Sequence, residues 1–414
     1  MNFHDELNVF FNEDKIGILY TDDGNLSFKY DIDYWNKKNA CPLANNLPLS
    51  KNTFTNSDVE SFFSNLLPDE RVRDIVAKIL HTSPENTFRL LKEIGADCAG
   101  AVSFYSQGQT PRFIEKPIFR KLSSSETREI LDNLWQRPLD VGDEGIRISC
   151  PGSQDKLVAC VENGVIYLPL YGTPSTHIIK PSNFNFHNTV YNEYFCMKLA
   201  KISGIPVADC DILPIEEEDF YVVKRFDRII LNGKTIRLHQ EDFCQLLNTP
   251  PTLKYEDDGG PSVKDCIKCL KSMRVSSIDI LNFFRLVIFN FLIGNCDAHA
   301  KNYAVLYNNG VPSFAPAYDL LCTMVYENLS RIFSMRIGGE QRMGALTLEH
   351  FLLMADDCEI SKNLVLKELK LLASNLPQLA NQLAEELNKT FPSPIYETIA
   401  WRIKLQCLQI MNDL

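Results

Sequence analysis

Two carboxylates and one amide form the most recognisable chemical pattern in the chain. Asp297 and Asn302 are five positions apart, and Asp319 follows Asn302 by seventeen positions. A carboxylate can orient an attacking hydroxyl and accept its proton, whereas amide and carboxylate oxygens suit magnesium. Phosphoryl transfer needs both functions. The pattern therefore predicts Asp297 as a catalytic base, and Asn302 with Asp319 as metal ligands.

The surrounding segments predict how these residues are positioned. Residues 278–293 form an apolar run that is typical of a buried helix, and Asp297 follows it on a polar loop. Two short apolar runs then flank Asn308-Asn309-Gly310, in which Asn-Gly is a strong hairpin signal. Helix, polar loop, hairpin and aspartate occur in this order in the catalytic half of a protein kinase. The alternative is an asparagine-rich turn after a core helix, with Asp319 capping the next helix.

A second pattern, upstream, could bind phosphates. Residues 151–156 contain a glycine and precede an apolar strand over residues 157–161. If residues 145–149 form a strand on the other side, the loop can lay backbone amides over the phosphates of a nucleotide. It is not a Walker loop, because no Gly-Lys-Ser/Thr opens a helix after it. A plain hairpin loop is the alternative.

A lysine and a glutamate follow in the order that kinases use around the α- and β-phosphates. Lys180 ends a predicted strand over residues 176–180, and Glu193 lies on a predicted helix that begins at Asn188 or Thr189. Taken alone, each is more typical of a solvated strand end or an exposed helix face. Their order before the aspartates favours a role at the phosphates.

The composition is that of an ordinary globular protein. The 414 residues are 45% apolar and 23% charged, and the length predicts about two to three domains. No apolar run reaches the roughly 18 residues of a membrane span, because Arg285 interrupts the best candidate. The acidic start lacks a signal-peptide pattern, so we expect a cytoplasmic protein without membrane contact. The net charge of −11 argues against sequence-independent DNA binding by the chain alone.

The cysteines indicate a reduced protein. There are 13, an odd number, scattered mostly singly among apolar neighbours. Cys266 and Cys269 are the one close pair in the sequence, and no second pair with zinc spacing follows them. We therefore expect both to pack in a core.

The remaining periodicity predicts an α+β fold. Residues 6–31 alternate as a small meander, and helical periodicity returns at residues 58–67, 69–80 and 85–94. Beyond residue 261 the pattern is helical almost to the end, apart from the hairpin. The expected domains are an N-terminal subdomain over residues 1–110, a small lobe with the glycine-bearing loop over residues 111–260, and a helical lobe over residues 261–414.

The combined motifs resemble the HipA family, the kinase toxins of bacterial HipBA-type toxin–antitoxin pairs. The resemblance covers nearly the whole chain, since the meander and residues 94–102 look like the N-terminal subdomain of the family. It is most specific in five segments, which are residues 147–156, 177–180, 225–228, 255–261 and 297–302.

The resemblance implies a bilobal protein-kinase-like fold with an N-terminal β-rich accessory subdomain and a mostly helical C-terminal lobe. It implies binding of ATP and Mg²⁺, with Asp297 as catalytic base, Asn302 and Asp319 on the metal, and Glu193 in a structural ion pair. The implied ATP-binding residues are Pro151, Gly152, Ser153, Gln154, Asp155, Lys156, Lys180, Lys224, Arg225, Phe226, His299, Ala300, Lys301, Asn302, Tyr318 and Asp319.

The resemblance also implies a substrate, a regulatory site and a partner. Family members phosphorylate a serine or threonine of an aminoacyl-tRNA synthetase, foremost the glutamyl enzyme, and thereby stall translation. They autophosphorylate a loop serine, which here would be Ser149. The expected partner is a HipB-like helix-turn-helix antitoxin, and DNA would be contacted only through that complex.

The chain departs from the family pattern at three places, the first of which is Cys150-Pro151, where small or β-branched residues are usual. Pro151 removes one backbone donor from the loop, Asp155 is shorter than the usual glutamate, and Lys224 stands where an acidic residue is common. These changes bear on ATP affinity more than on the type of reaction.

Two alternatives to a protein kinase stay open. A metal-dependent phosphohydrolase would use Asp297, His299 and Asp319, and metal binding by His299 without nucleotide would favour it. A catalytically degenerate co-repressor, acting with a DNA-binding antitoxin, would need none of the charged groups that the chain retains.

Overall fold

An antiparallel sheet with flanking helices makes up the N-terminal hundred residues. The structure is a computed structural model, and it describes residues 5–22, 24–55, 57–111 and 116–413. Five strands lie in the order β4-β3-β2-β1-β5, and the predicted meander and three helices are confirmed. The elements are β1 (Glu6–Phe11), β2 (Asp14–Asp22), β3 (Asn25–Tyr30), α1 (Ile32–Trp35), β4 (Phe54–Thr55), α2 (Ser57–Ser64), α3 (Glu70–Ile79), α4 (Thr87–Ile94) and β5 (Val102–Ser106).

A six-stranded sheet follows in the order β10-β11-β9-β7-β8-β6. The predicted strand that ends at Lys180 and the predicted helix that carries Glu193 are both confirmed. The elements are β6 (Ile118–Lys121), α5 (Ser124–Asn133), β7 (Leu157–Glu162), β8 (Val165–Leu170), β9 (His177–Lys180), α6 (Thr189–Ile202), β10 (Cys210–Ile215), β11 (Glu218–Lys224), β12 (Arg228–Leu231), β13 (Lys234–Arg237), β14 (His239–Asp242) and α7 (Phe243–Leu246).

The strand predicted over residues 145–149 was wrong. This described segment makes only an isolated parallel bridge, between Ile148 and Asp97. Gly145 has a φ of +81°, and the Asp97 amide donates to the Arg147 carbonyl at 3.0 Å. The segment therefore hydrogen-bonds to the end of the N-terminal region, while the sheet neighbours of β7 are β8 and β9.

Helices dominate the chain from residue 263 onward. The predicted buried helix and the predicted hairpin are confirmed, and Asn309 and Gly310 have the positive φ values, 50° and 76°, that a tight Asn-Gly turn requires. The elements are α8 (Val263–Ser272), α9 (Ser277–Ile293), β15 (Ala304–Asn308), β16 (Val311–Phe314), β17 (Ile332–Ile337), β18 (Glu340–Arg342), α10 (Leu348–Asp357), α11 (Lys362–Leu387) and α12 (Ile395–Asp413).

A second hairpin in this region contradicts the expectation of helices alone. Strands β17 and β18 pair in antiparallel fashion. Gly338 and Gly339 between them both have positive φ, which glycine adopts without steric cost. The sequence did hold a signal, because alternating apolar residues precede this glycine pair.

The chain divides into two compact units that interleave along the sequence. The first contains Met1–Pro181, Leu213–Thr252 and Leu306–Val311, and the second contains Ser182–Ile212, Leu253–Val305 and Pro312–Leu414. The predicted domain boundaries at residues 110 and 260 stay predictions. Lys180 and the glycine-bearing loop belong to the first unit, whereas the two aspartates of the predicted catalytic set belong to the second.

The broad predictions about fold class and cysteines are confirmed. The fold is α+β, and all 13 cysteines are free thiols. Cys266 and Cys269 are buried on α8, so this pair packs in a core as expected. Within the part of the chain that the structure describes, no helix has both the length and the apolarity needed to cross a membrane.

The first unit buries a carboxyl group on β14. Glu241 on β14 is 1% exposed, accepts a hydrogen bond from the Tyr307 hydroxyl, and accepts another from the Asn45 amide at 3.2 Å. Burial raises the pKa of Glu241 to about 7, although these two donors oppose the rise. The folded protein therefore holds a proton on Glu241 at pH values where the unfolded chain has lost it.

We predict that Glu241→Gln changes how stability depends on pH. Between about pH 4.5 and 7 the folded wild type binds more protons at this position than the unfolded chain, so its free energy of unfolding falls as pH rises. The difference between wild type and Glu241→Gln should change by up to about 3 kcal/mol across this window. Urea unfolding at several pH values measures this, and parallel curves for the two proteins would contradict the prediction.

Candidate active site

Hydrogen bonds to backbone atoms hold the polar loop that follows α9. Gly294 ends the helix in the left-handed conformation, with a φ of +74°. The Cys296 amide donates to the Thr323 hydroxyl at 2.8 Å, and the Cys296 carbonyl accepts the Ser334 hydroxyl at 2.7 Å. Burial raises the pKa of the Cys296 thiol to about 11, so it is neutral at physiological pH. The residue after this anchored cysteine is Asp297.

Asp297 is exposed, and its main chain organises the residues that follow. Its carbonyl accepts the His299 amide at 2.8 Å and the side-chain amide of Asn302 at 3.2 Å. Its carboxylate accepts a hydrogen bond from the Tyr255 hydroxyl at 2.9 Å. Asp297 and Asn302 are therefore brought together, and sequence reasoning missed Tyr255 as a contact of the predicted base.

Asp319 is held in an unusual backbone conformation. Its φ is +58°, a left-handed value that aspartate tolerates better than most residues. The residue two positions earlier, Ala317, bridges to Val207, and its amide donates to the Pro206 carbonyl at 2.8 Å. The Tyr318 hydroxyl donates to the Lys301 carbonyl at 2.7 Å. Through this last bond, the segment of Asp319 is tied to the segment of Asn302 within one unit.

The donor set of the second unit suits a hard metal ion. Asn302 uses its amide nitrogen on the Asp297 carbonyl, which turns its amide oxygen elsewhere. That oxygen and the Asp319 carboxylate are ligands of the type that Mg²⁺ prefers. Within the described residues, no group of three or more His, Cys, Asp and Glu side chains could hold a metal ion. A magnesium site here would therefore rely on Asn302 and Asp319, on substrate phosphates and on water.

The glycine-bearing loop of the first unit contains a buried ammonium group. Lys156 is 7% exposed, and its ammonium donates to the Pro151 carbonyl. Gly152 has a φ of +108°, and a Cβ at this position would lie 2.5 Å from the Lys156 nitrogen. The positive φ favours glycine, and a larger residue here would also displace the end of the Lys156 side chain. Ser153 is exposed, whereas Gln154 and Asp155 are half-buried.

Contacts from the N-terminal residues hold this loop. The Ser149 hydroxyl is fully buried and donates to the Leu66 carbonyl at 2.7 Å. The Asp69 amide donates to the Gly152 carbonyl at 3.3 Å. Beyond them, Arg71 forms an ion pair with Asp155. The segment that links α2 to α3 therefore contacts both ends of the loop.

A buried ionic cluster, which the sequence did not predict, lies beside residues 145–149, the segment that leads into the loop. Asp97 has no exposed surface, and its carboxylate contacts Arg228 at 3.0 Å, Arg237 at 2.9 Å and Arg225 at 3.5 Å. Burial alone would raise the pKa of Asp97, but the three guanidinium groups hold it well below its usual range. Asp227 joins the cluster through Arg225 at 2.8 Å.

The residues predicted to frame the adenine differ in their surroundings. Lys224 is exposed, Phe226 is half-buried, and the side chain of Arg225 lies in the ionic cluster. The Arg225 amide donates to the Thr176 carbonyl at 2.9 Å. The structure thus gives the Arg225 side chain a structural role that the sequence did not indicate.

Lys180 and Glu193 are each buried in their own unit. Lys180 is 7% exposed on β9, and its nitrogen lies 5.7 Å from the centre of the Tyr221 ring. Glu193 is 2% exposed on α6. The solvated alternatives weighed for both residues are therefore wrong, because neither side chain lies in solvent. The ion pair of Glu193 stays a prediction.

Family models match two consecutive parts of the chain. Residues 7–105 match the HipA N-terminal domain, and residues 148–391 match the HipA-like C-terminal domain. The second match alone spans more than half of the chain. The chain belongs to the HipA family.

Individual HipA relatives support the same assignment. The Y4mE protein of Sinorhizobium fredii is 35% identical over 98% of this chain and 99% of its own length. The serine/threonine-protein kinase toxin HipA of Shewanella oneidensis is 30% identical over 83% of this chain and 81% of its own. In the solved Shewanella oneidensis complex of HipA, HipB and operator DNA, one chain matches with a TM-score of 0.86 at 25% identity, covering 98% and 97%.

These matches identify the protein as a HipA-family serine/threonine kinase toxin and confirm the resemblance seen in the sequence. The kinase-like fold of the family is likewise confirmed.

We predict that Asp97→Asn destabilises the protein by about 3–5 kcal/mol. The substitution keeps the shape of the side chain but leaves buried guanidinium groups without their shared carboxylate. Urea unfolding measures the effect. Asp14→Asn is the matched control, since Asp14 pairs with Lys37 at the surface, where an ion pair contributes about 0–1 kcal/mol. Equal small losses in both variants would contradict the role given to the cluster.

Proposed function

We propose that this kinase transfers the terminal phosphate of ATP to a serine or threonine hydroxyl, with Asp297 as the catalytic base. The arrangement of Asp297, Asn302 and Asp319 within one unit carries the proposal. The Asn302 amide contacts the Asp297 carbonyl, and the Tyr318–Lys301 hydrogen bond ties in the segment of Asp319. The exposure of Asp297 leaves its carboxylate accessible to a protein substrate.

The proposed step is a single displacement. The substrate oxygen forms a bond to the γ-phosphorus, the bond from that phosphorus to the bridging oxygen breaks, and ADP leaves. The hydroxyl proton passes to the Asp297 carboxylate. Magnesium, when bound, neutralises negative charge that develops on the phosphates. Asn302 and Asp319 supply its protein ligands in this proposal.

ATP binding is assigned to the residues that the family resemblance implies. Lys156 and Lys180, which are both buried, are assigned to the phosphates. Lys224 and Phe226 are assigned to the adenine. The other assigned residues are Pro151, Gly152, Ser153, Gln154, Asp155, Arg225, His299, Ala300, Lys301, Asn302, Tyr318 and Asp319.

The proposed substrate is a translation component, and the proposed partner is an antitoxin. An aminoacyl-tRNA synthetase, first of all the glutamyl enzyme, is the candidate target, and its modification would arrest growth. The solved Shewanella complex contains HipA, HipB and operator DNA, and this supports a HipB-like partner that contacts DNA. The 13 free thiols favour a cytoplasmic location.

Two features favour the kinase over the alternatives. The His299 ring packs edge-on against Tyr255, with centroids 5.2 Å apart, which suits a residue that orders the loop rather than a metal ligand. The charged groups needed for transfer are all retained, which a degenerate co-repressor would not require.

We predict that Asp297→Asn abolishes phosphate transfer while nucleotide binding and the unfolding midpoint stay near wild type. The amide keeps the shape of the side chain but cannot accept the proton, so transfer should fall by at least about a hundredfold. Labelled ATP and a bacterial lysate as acceptor give the rate, and phosphoproteomics after expression identifies the target.

The control is Asp209→Asn, which removes an exposed carboxylate paired with Lys201 in the same unit. It should retain full transfer. Wild-type transfer by Asp297→Asn would overturn the role of Asp297, and loss in both variants would mean that the assay reports something other than the active site.

A regulatory role for Ser149 is part of the proposal. Its hydroxyl has no exposed surface and is bonded to the Leu66 carbonyl. Phosphorylation would add nearly two negative charges, and an acceptor carbonyl in a closed space cannot stabilise them. A phosphate on Ser149 therefore requires residues 149–156 to leave the position seen here, which would inhibit ATP binding.

We predict that incubation with ATP and magnesium places phosphate on Ser149. Mass spectrometry of the peptide that covers residues 148–156 tests this, and fragmentation separates Ser149 from the exposed Ser153. Ser149→Ala should abolish the modification of this peptide, and Asp297→Asn should do the same if the reaction is autocatalytic. Phosphate found only outside residues 148–156 would contradict the assignment.

A further inference from the structure

The motif at residues 255–261 forms a closed turn next to the polar loop. The Gly260 amide donates to the Tyr255 carbonyl at 2.9 Å, and Gly259 has a φ of +94°. A Cβ on Gly260 would lie 2.1 Å from the Leu253 carbonyl oxygen, so only glycine fits. The two glycines of this motif are therefore required by the backbone geometry of the turn. The Tyr255 side chain is not needed for that geometry.

The turn is fastened to a neighbouring strand. The Arg336 amide on β17 donates to the Glu256 carboxylate at 2.6 Å, and the Arg336 side chain pairs with Asp257 at 2.7 Å. Glu256 and Asp257, which directly follow Tyr255, are thereby held against β17. Tyr255 consequently has a fixed main chain from which its ring projects.

Tyr255 contacts the loop of the proposed base at two points. Its hydroxyl donates to Oδ1 of Asp297 at 2.9 Å, and its ring packs at 84° against the His299 ring. The preceding residue adds a backbone contact, because the Lys254 carbonyl accepts the Ala300 amide at 3.4 Å. The turn and the loop therefore form one continuous hydrogen-bonded arrangement within the second unit.

We propose that Tyr255 is a positioning residue for phosphate transfer, which fixes the plane of the Asp297 carboxylate. The inference rests on the proposed function, because it takes Asp297 as the base. The terminal torsion of an aspartate is broad, so a hydrogen bond from a fixed donor narrows the range of orientations of an exposed carboxylate. The Tyr255 hydroxyl holds Oδ1, and the proposal assigns the proton of the attacking hydroxyl to the same carboxylate. Correct orientation of reacting groups is a major source of rate acceleration.

The proposal separates Tyr255 from residues that bind ATP or stabilise the fold. Tyr255→Phe keeps the ring against His299 and removes only the hydroxyl. The rate at saturating ATP should fall about tenfold, while the KM for ATP and the unfolding midpoint stay unchanged. The assay uses the full chain, labelled ATP and a bacterial lysate as acceptor, with the lysate alone as blank.

A double variant provides the decisive comparison. If Tyr255 acts through the Asp297 carboxylate, Tyr255→Phe should cause no further loss when it is added to Asp297→Asn. Single-turnover measurements at high enzyme concentration give these residual rates. Tyr194→Phe is the control, since it removes another tyrosine–aspartate hydrogen bond of the same unit, from Tyr194 to Asp211 at 3.2 Å. It should transfer phosphate at the wild-type rate.

Each remaining outcome overturns the inference. These outcomes are wild-type transfer by Tyr255→Phe, a loss that lies in the KM for ATP or in stability, and an equal further loss in the Asp297→Asn background. Failure of the proposed function itself is recognised separately, because Asp297→Asn alone would then keep wild-type transfer.

Discussion

One buried carboxylate brings together segments that are far apart in the chain. Asp97 lies at the end of the N-terminal region, whereas Arg225 directly follows β11 and Arg228 and Arg237 lie on β12 and β13. The Asp97 backbone bonds to the segment that leads into the glycine-bearing loop, through Ser149 at 3.0 Å. A buried carboxylate is stable only when it is paired with positive charge, so Asp97 must stay close to its three arginines. Because the Asp97 backbone also bonds to Ser149, the cluster fixes the segment before the glycine-bearing loop relative to β12 and β13.

In the second unit, hydrogen bonds between neutral groups position the loop that carries Asp297. This loop depends on backbone hydrogen bonds, on the hydroxyls of Thr323 and Ser334, and on the end of an apolar helix. Within residues 294–302 the one carboxylate is Asp297, and it is exposed. The anchored backbone on either side restricts where this carboxylate can lie, which suits the proposed role as a base.

The sequence predicted the features that depend on near neighbours. The apolar run of α9, the Asn309-Gly310 turn and the strand that ends at Lys180 follow from periodicity and turn chemistry. Contacts between distant positions were missed, since Asp97 and Arg237 are 140 positions apart and Tyr255 and Asp297 are 42 apart. The wrong strand over residues 145–149 has the same cause, because its hydrogen-bond partner lies near residue 97.

The left-handed backbone of Asp319 restricts which side chains the position accepts. Glycine, asparagine and aspartate adopt such a φ at little cost, whereas a β-branched residue would be strained there. Replacing Asp319 by alanine would therefore mix two effects, the loss of the carboxylate that is proposed to bind magnesium and backbone strain. Asparagine is the neutral substitute that preserves the local conformation, so it separates the charge of this side chain from the backbone geometry.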